Sequence, residues 1–306
     1  HERRWRTKAF WGRSRGPVPE SLISRLDVAQ TAADLAGKRV LLIGEQGVGD
    51  QIMFASMVPD LIKTAAAVTL VTSTRMRPLM EASFPDIENL DSTHGLSAKR
   101  FDKFVAMGSL GYAFRNDIAD FPRTPYLHAR PSLRAEWARR LGPKTTPLRI
   151  GISWRGGSEA TYSGARSMSL DLLAPIIARD DVECVNLQYG DVAAEVEAFN
   201  ATLKRPIRLF PREDIDPFEP LAALVQNLDM VVSVQTSIIH LSGACGAPCL
   251  VMIPFIPEWR YGASGPTMPW YGSVRLFRQS ERGDWGQVLA DIDAALDDKI
   301  AELSRI

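Results

Sequence analysis

Four short segments, each directly following an apolar run, carry the residues whose types and spacing suit chemistry. The first is Gly44-Glu45-Gln46-Gly47-Val48-Gly49-Asp50. Its glycines let the backbone turn tightly and come close to a ligand around Gln46, Gly47 and Gly49. Asp50 opens a helical pattern, as a cap or as an exposed carboxylate. The spacing is neither the dinucleotide fingerprint G-x-G-x-x-G nor a P-loop ending in Gly-Lys-Ser/Thr. A tight strand-to-helix turn with Asp50 as its cap fits the same residues.

In the second segment a buried run, Val231 to Val234, delivers Gln235, Thr236 and Ser237 to the start of a helix. Backbone N–H groups and hydroxyls at such a start can hold a phosphate. His240 falls one turn after Thr236, on the same face. A hydroxyl cap beside a satisfied histidine is the competing reading. The third segment is Ser153-Trp154-Arg155-Gly156-Gly157-Ser158, where Arg155 can neutralise a diphosphate and the glycines can admit it. Arg166, on the following loop, can do the same. Gln188, just past the run Val182 to Leu187, joins Trp154 and Arg155 as a candidate ligand-binding residue of the second half. The fourth is Pro254-Phe255-Ile256-Pro257-Glu258-Trp259-Arg260, followed by Pro269-Trp270-Tyr271. Its aromatic residues, Trp259 among them, suit the wall of a sugar or base site, or a rigid loop packed on the core.

The elements that must position these segments follow from the apolar pattern. Lys38 to Gly44, Val68 to Thr72 and Phe101 to Met107 predict buried strands. Asp50 to Thr64 predicts one helix between the first two, and Met76 to Ala82 a shorter one. Prolines then punctuate the chain from Pro122 to Pro147, around a helical segment from Ser132 to Leu141. A second series follows: strands at Leu148 to Trp154, Val182 to Leu187, Pro206 to Phe210, Met230 to Val234 and Cys249 to Ile253, with helices at Leu170 to Ala178, Pro217 to Asn227 and Thr236 to Gly246. Alternating strands and helices predict an α/β chain with mostly parallel sheets covered on both faces. A boundary near Pro147 gives two Rossmann-like halves, 1–147 and 148–306, facing a cleft. Ligands in such sheets sit beyond the carboxyl ends of the strands, where the four segments fall. Whether the last helical segment, Asp284 to Leu303, crosses back onto the first half is left open by the sequence.

Composition narrows the function classes. The 306 residues are 45% hydrophobic and 24% charged, enough to bury a sizeable core. Lys+Arg and Asp+Glu both number 36, which argues against nucleic acid as a partner. The one basic run, Arg3 to Arg15, reads as a solvated helix end or linker. Cys184, Cys245 and Cys249 form no disulfide framework and no zinc-ligand spacing, so they read as small buried residues in a protein of the reducing cytoplasm. No apolar run of about 18 residues predicts a membrane span. The first residue is His rather than Met, so a longer protein is expected.

Four motifs in order carry a family resemblance. They are Gly-Glu-Gln-Gly-Val-Gly-Asp-Gln-Ile-Met-Phe-Ala, Val-Ser-Val-Gln-Thr-Ser-Ile-Ile-His-Leu-Ser-Gly-Ala-Cys-Gly-Ala-Pro, Pro-Phe-Ile-Pro-Glu-Trp-Arg, and Pro-Trp-Tyr followed by Arg-Leu-Phe-Arg-Gln. From about Trp5 to Trp285 the chain resembles the glycosyltransferase domains fused behind tetratricopeptide repeats in bacteria, related to the heptosyltransferases (glycosyltransferase family 9-like). Glu2-Arg3-Arg4-Trp5-Arg6 resembles the end of the repeat region. The resemblance implies a GT-B fold, with acceptor contacts mainly from the first half and donor contacts mainly from the second. It implies an inverting, metal-independent transfer from a nucleotide sugar, with no further cofactor. It puts the base at Asp50, from the match of Gly49-Asp50 to the family's Gly-Asp. It assigns donor binding to Gln235, Thr236, Ser237 and His240, the match to Asp-Thr-x-x-x-His. Gln235 stands where the family usually has Asp. A neutral amide donates as well as accepts, so its contacts to the sugar should differ. Fusion to repeats implies a protein acceptor, with flagellin a special case. Two other functions fit less of the pattern. One is a sugar-nucleotide epimerase, for which only Asp50, Glu45 and His240 offer acid/base groups. The other is a non-catalytic module that binds a nucleotide sugar or a protein.

Overall fold

A computed structural model describes residues 25–27, 31–156 and 163–305. The basic run Arg3 to Arg15, the motif Glu2 to Arg6, and Gly157 and Ser158 lie outside the described residues.

Two parallel sheets form the framework. The first contains β1 (Arg39–Ile43), β2 (Ala67–Val71), β3 (Glu88–Leu90) and β4 (Lys103–Ala106), in the order β3-β2-β1-β4. The second contains β5 (Leu148–Ser153), β6 (Val182–Asn186), β7 (Met230–Val234), β8 (Cys249–Ile253) and β9 (Val274–Arg278), in the order β6-β5-β7-β8-β9. Leu41 of β1 lies between Thr69 and Phe104, and Ile152 of β5 between Asn186 and Val232. Every residue of β5, β7 and β8 is buried. That is why they read as continuous apolar runs rather than alternating ones.

Several elements differ from the sequence expectation. The single helix expected from Asp50 to Thr64 is two, Val48–Phe54 and Val58–Thr64, separated by a tight 3-10 turn at Ala55–Met57. Pro59, at the second helix's start, lacks the N–H that would continue the ladder. Pro175 likewise divides Leu170 to Ala178 into a 3-10 turn, Leu170–Leu173, and one helical turn, Ala174–Ile177. Pro206 to Phe210 forms no strand, touching β6 through one bridge, Val185 to Arg208. The edge strands β3 and β9 and the helix Ala193–Asn200 were not anticipated.

The packing joins the halves. One apolar core runs from Leu42, Ile52 and Leu70 of the first half to Leu224, Ile239 and Val251 of the second. The helix Pro131–Leu141 precedes Pro147 yet packs on the second half. Trp137 meets Phe210 edge-on at 4.8 Å, Arg130 pairs with Glu219, and Arg149 donates to the carbonyls of Leu141, Gly142 and Pro143. Among the described residues the final helix, Gly286–Leu303, packs on the second half. Its buried face, Val288, Ile292, Ala295 and Leu296, shares a core with Ile150, Val232 and Leu250, and Arg179 pairs with Asp293 and Asp297.

Candidate active site

The first half brings the end of β1 to the cleft. Gly44 donates to Val71 in the next strand's end, and Gln46 takes a left-handed conformation (φ 63°) that only a few non-glycine residues adopt. This turn aims the helix Val48–Phe54 along the cleft. Asp50 therefore stands in the helix's first turn, not at its cap and not exposed. It is 7% accessible, and its Oδ2 accepts the Gly47 N–H at 3.2 Å. Its Oδ1 is held by Arg260, whose Nε donates at 3.0 Å and whose Nη2 forms a second, shorter contact. Glu45, the other acidic residue of the loop, is buried and accepts from Gly108 N–H, tying the loop to the end of β4.

The second half contributes three strand ends. At β5, Trp154 is fully buried, and its indole donates to Glu195 at 3.2 Å. Arg155 is exposed into the cleft and pairs with the same carboxylate at 2.6 Å. Gln188, beyond β6, fastens this loop. Its Oε1 accepts from Ser153 Oγ, Trp154 N and Arg155 N, and its Nε2 donates to the carbonyls of Arg155 and Tyr189. Its amide is thus spent on shaping the loop around the donor cavity. Gly156 must be glycine, because a Cβ there would stand 2.5 Å from the Gln235 carbonyl oxygen.

At β7, Thr236 caps the helix Ser237–Cys245 by accepting the Ile238 N–H at 3.2 Å, and Gly246 closes that helix in the left-handed conformation. Gln235 is 1% accessible, and neither its Oε1 nor its Nε2 has a hydrogen-bond partner among the described residues. His240 is buried at 4%, shares a 3.1 Å hydrogen bond through Nδ1 with Tyr271 Oη, and packs on Gly49. Burial, followed by the charge of Arg260, lowers its pKa to about 3, so the imidazole is neutral at physiological pH.

These strand ends enclose a cavity of about 670 Å³ between the halves. Val48 and Gly49 line it from the first half, and Arg155, Gly156, Gln188, Thr236, Ser237 and Ile238 from the second. The start of the helix Ser237–Cys245 thus opens on a space bordered by the turn that carries Asp50. An adjoining cavity of about 400 Å³ shares Gln188, Tyr189, Ser237 and Ile238, and is walled by Phe210, Phe218, Leu209 and Val192. Arg75, from the first half, closes it by bonding Asp216 and lying over Phe218.

Not every anticipated residue reaches the cleft. His240 does not line the cavity, because its ring is sealed between Gly49, Tyr261 and Tyr271. Arg166 is buried and paired with Glu258. Trp259 is 60% accessible and lies beneath the Arg260 guanidinium, outside the cavity. Trp270 packs edge-on against Phe54 and Phe121. Arg260 and Arg75 went unrecognised as site residues, since their partners lie 210 and 141 positions away in sequence. Among the described residues no group of acidic, histidine or cysteine side chains is placed to hold a metal ion, and no helix is long and apolar enough to cross a membrane.

No family model matches the chain. Protein FlbA of Caulobacter vibrioides is 29% identical over 293 residues, covering 89% of this chain and 48% of that protein, so the chain spans about half the length of this curated relative. Among solved structures, a glycosyl transferase family 9 protein from Veillonella parvula superposes with a TM-score of 0.62 at 13% identity, covering 88% of this chain and 98% of its own. The ADP-heptose LPS heptosyltransferase II of E. coli superposes with a TM-score of 0.62 at 14% identity, covering 86% and 99%. Two parallel-stranded halves around a shared cleft, matched over nearly the full length of these enzymes, make this chain's fold GT-B.

Proposed function

We propose that this chain is the catalytic region of a glycosyltransferase that moves a sugar from a nucleotide-activated donor to an acceptor hydroxyl. The observation that carries this reading is that Val48 and Gly49, in the helix turn that holds the nearly buried carboxylate of Asp50, line the cavity onto which the capped start of the helix Ser237–Cys245 opens, although Asp50 itself is not among the lining residues. The acceptor oxygen bonds to the anomeric carbon as that carbon's bond to the donor phosphate breaks. The acceptor proton passes to Asp50, and the phosphate leaves with the electron pair. Such a direct displacement inverts the anomeric centre. The N-terminal end of the helix at Thr236-Ser237 and the cationic Arg155 stabilise the leaving phosphate, which requires no metal.

The adjoining aromatic cavity suits the donor's nucleoside, and Gln235 stands close to where its sugar would lie. A protein hydroxyl, with flagellin a special case, is the acceptor suggested by the resemblance to repeat-fused transferases, and the cytoplasm is where nucleotide sugars would be met. The test is release of nucleotide from a panel of ADP-, GDP-, UDP- and CMP-sugars, ADP-heptose included. Turnover that disappears in Asp50→Asn, while that variant still binds the donor, supports the reading. Retained turnover removes Asp50 from the role of base. One observation favours a second reading: the amide of Gln235, where the resemblance implies Asp, is buried with no partner among the described residues, which suits a module that binds nucleotide sugars without turnover. Binding with no nucleotide release from any sugar of the panel would select it.

A further inference from the structure

We infer that Arg260 is the positioning residue for Asp50, fixing the carboxylate so that one defined oxygen faces the acceptor; the inference rests on the reading of Asp50 as the base. Arg260 Nε and Nη2 both engage Oδ1, while the remaining amine, Nη1, is held by Glu258 Oε2 at 2.9 Å. Glu258 is anchored in turn by the buried Arg166 through its other oxygen. The Trp259 ring lies 4.9 Å from the guanidinium carbon and covers one face of the fork. Arg166, Glu258, Arg260 and Asp50 thus form a chain of alternating charge from the second half to the first, with the side chains of Arg260 and Asp50 only 15% and 10% accessible.

This geometry divides the work between the two carboxylate oxygens. Oδ1 accepts from both Nε and Nη2 of the guanidinium, whereas among the described residues Oδ2 accepts only the Gly47 N–H at 3.2 Å. Oδ2 keeps a lone pair and is the atom that receives the proton. Each nitrogen of the guanidinium is engaged by a carboxylate of Asp50 or Glu258, so its contribution lies in orienting the base. Burial disfavours the charged guanidinium, but the attraction and hydrogen bonds of Asp50, with the charge of Glu258, more than offset it and raise its pKa. Arg260 therefore stays charged throughout the working range.

The experiment compares Arg260→Ala, Arg260→Lys and Asp50→Asn on the first nucleotide sugar of the panel that the wild-type chain turns over. In Arg260→Ala, kcat should fall about 100-fold, the scale of a misplaced general base, while the donor KM stays within about threefold. Lys keeps the charge but not the fork, so Arg260→Lys should recover part of kcat, and added guanidinium should recover part of it in Arg260→Ala. In the Asp50→Asn background Arg260→Ala should cost nothing further. If Arg260→Ala fails to fold, Arg260→Lys carries the same comparison of kcat with KM. Wild-type kcat in these variants, or a loss expressed mainly in donor KM, overturns the inference while leaving the transferase reading intact. No release of nucleotide from any sugar by the wild type defeats the transferase reading itself.

Discussion

Gly49 of the first half lies directly against His240 of the second: a Cβ on Gly49 would stand 3.0 Å from the imidazole Cδ2 and 3.7 Å from Ser237 Cα. The imidazole has no room to retreat, because Tyr271 bonds its other side and Tyr261 packs near it. The helices Val48–Phe54 and Ser237–Cys245 can meet this closely only with glycine at that point. Gly49→Ala adds helix propensity of about 1 kcal/mol, but overpacking costs about 1–3 kcal/mol. A net loss of about 1 kcal/mol is expected on those scales, and a larger one for Gly49→Val, with donor turnover falling in step. Urea unfolding and nucleotide release measure the two effects, and a Gly49→Val protein as stable as wild type would refute the contact.

His240 makes the fold acid-sensitive. Its folded pKa is depressed to about 3 from an ordinary 6.5, chiefly by burial. Above pH 6.5 both the folded and the unfolded chain hold a neutral imidazole. Below it the unfolded chain binds a proton that the folded chain refuses, so stability drops by about 1.4 kcal/mol per pH unit from this group. The loss runs from pH 6.5 down towards 3. Between pH 7 and 5 the wild type should therefore lose more stability than His240→Gln, whose uncharged amide does not titrate. Parallel curves for the two proteins would show that the imidazole is not buried in this way.

Gln188→Ala should weaken both the fold and the donor site. The substitution leaves the buried N–H of Trp154 and the partly buried N–H of Arg155 without their acceptor. Each buried orphan costs about 1–3 kcal/mol. Since the same loop carries Arg155 to the cavity, nucleotide affinity should fall with stability. Calorimetric titration with ADP and a denaturation curve read the two together, and unchanged values in both would contradict the clamp.

Arg149 and Glu183 form an ion pair at 2.9 Å with both side chains almost fully buried, and Arg149 also holds three carbonyls at the end of the helix Pro131–Leu141. Arg149→Met strands the carboxylate and should cost about 3–5 kcal/mol. Adding Glu183→Met should restore part of that loss, because the orphaned charge goes with it. A double variant no more stable than Arg149→Met would mean that the carbonyl bonds, not the pair, matter most.

Much of the framework was legible in the chain. The strands Met230–Val234 and Cys249–Ile253 fall where the apolar runs place them, since strands covered on both faces need apolar residues at every position. The hydroxyl cap of the helix Ser237–Cys245, Thr236, was legible because capping is local. β3 was not, because Glu-Asn-Leu at a sheet edge shows no apolar run, and β9 is exposed at Arg275. The candidate site was legible in part. Gly49, Arg155, Gly156, Thr236 and Ser237 line one cavity because each lies in a segment that follows a strand end, whereas Asp50 is drawn off it to Arg260. The burial of His240 was not legible, since its neighbours Tyr261 and Tyr271 come from a different loop.

The sequence by itself determined most of the buried strands, where their loops would turn and which polar residues those loops would carry. These follow from hydrophobic period, proline and glycine, all of which act over a few residues. Only the tertiary structure decided that Asp50 is gripped by Arg260, that Gln188 spends its amide on the loop after β5, and that Gln235 is buried without a partner among the described residues. Those relationships join residues far apart in the chain. Their geometry exists only once both sheets have packed and set the distance between the two halves.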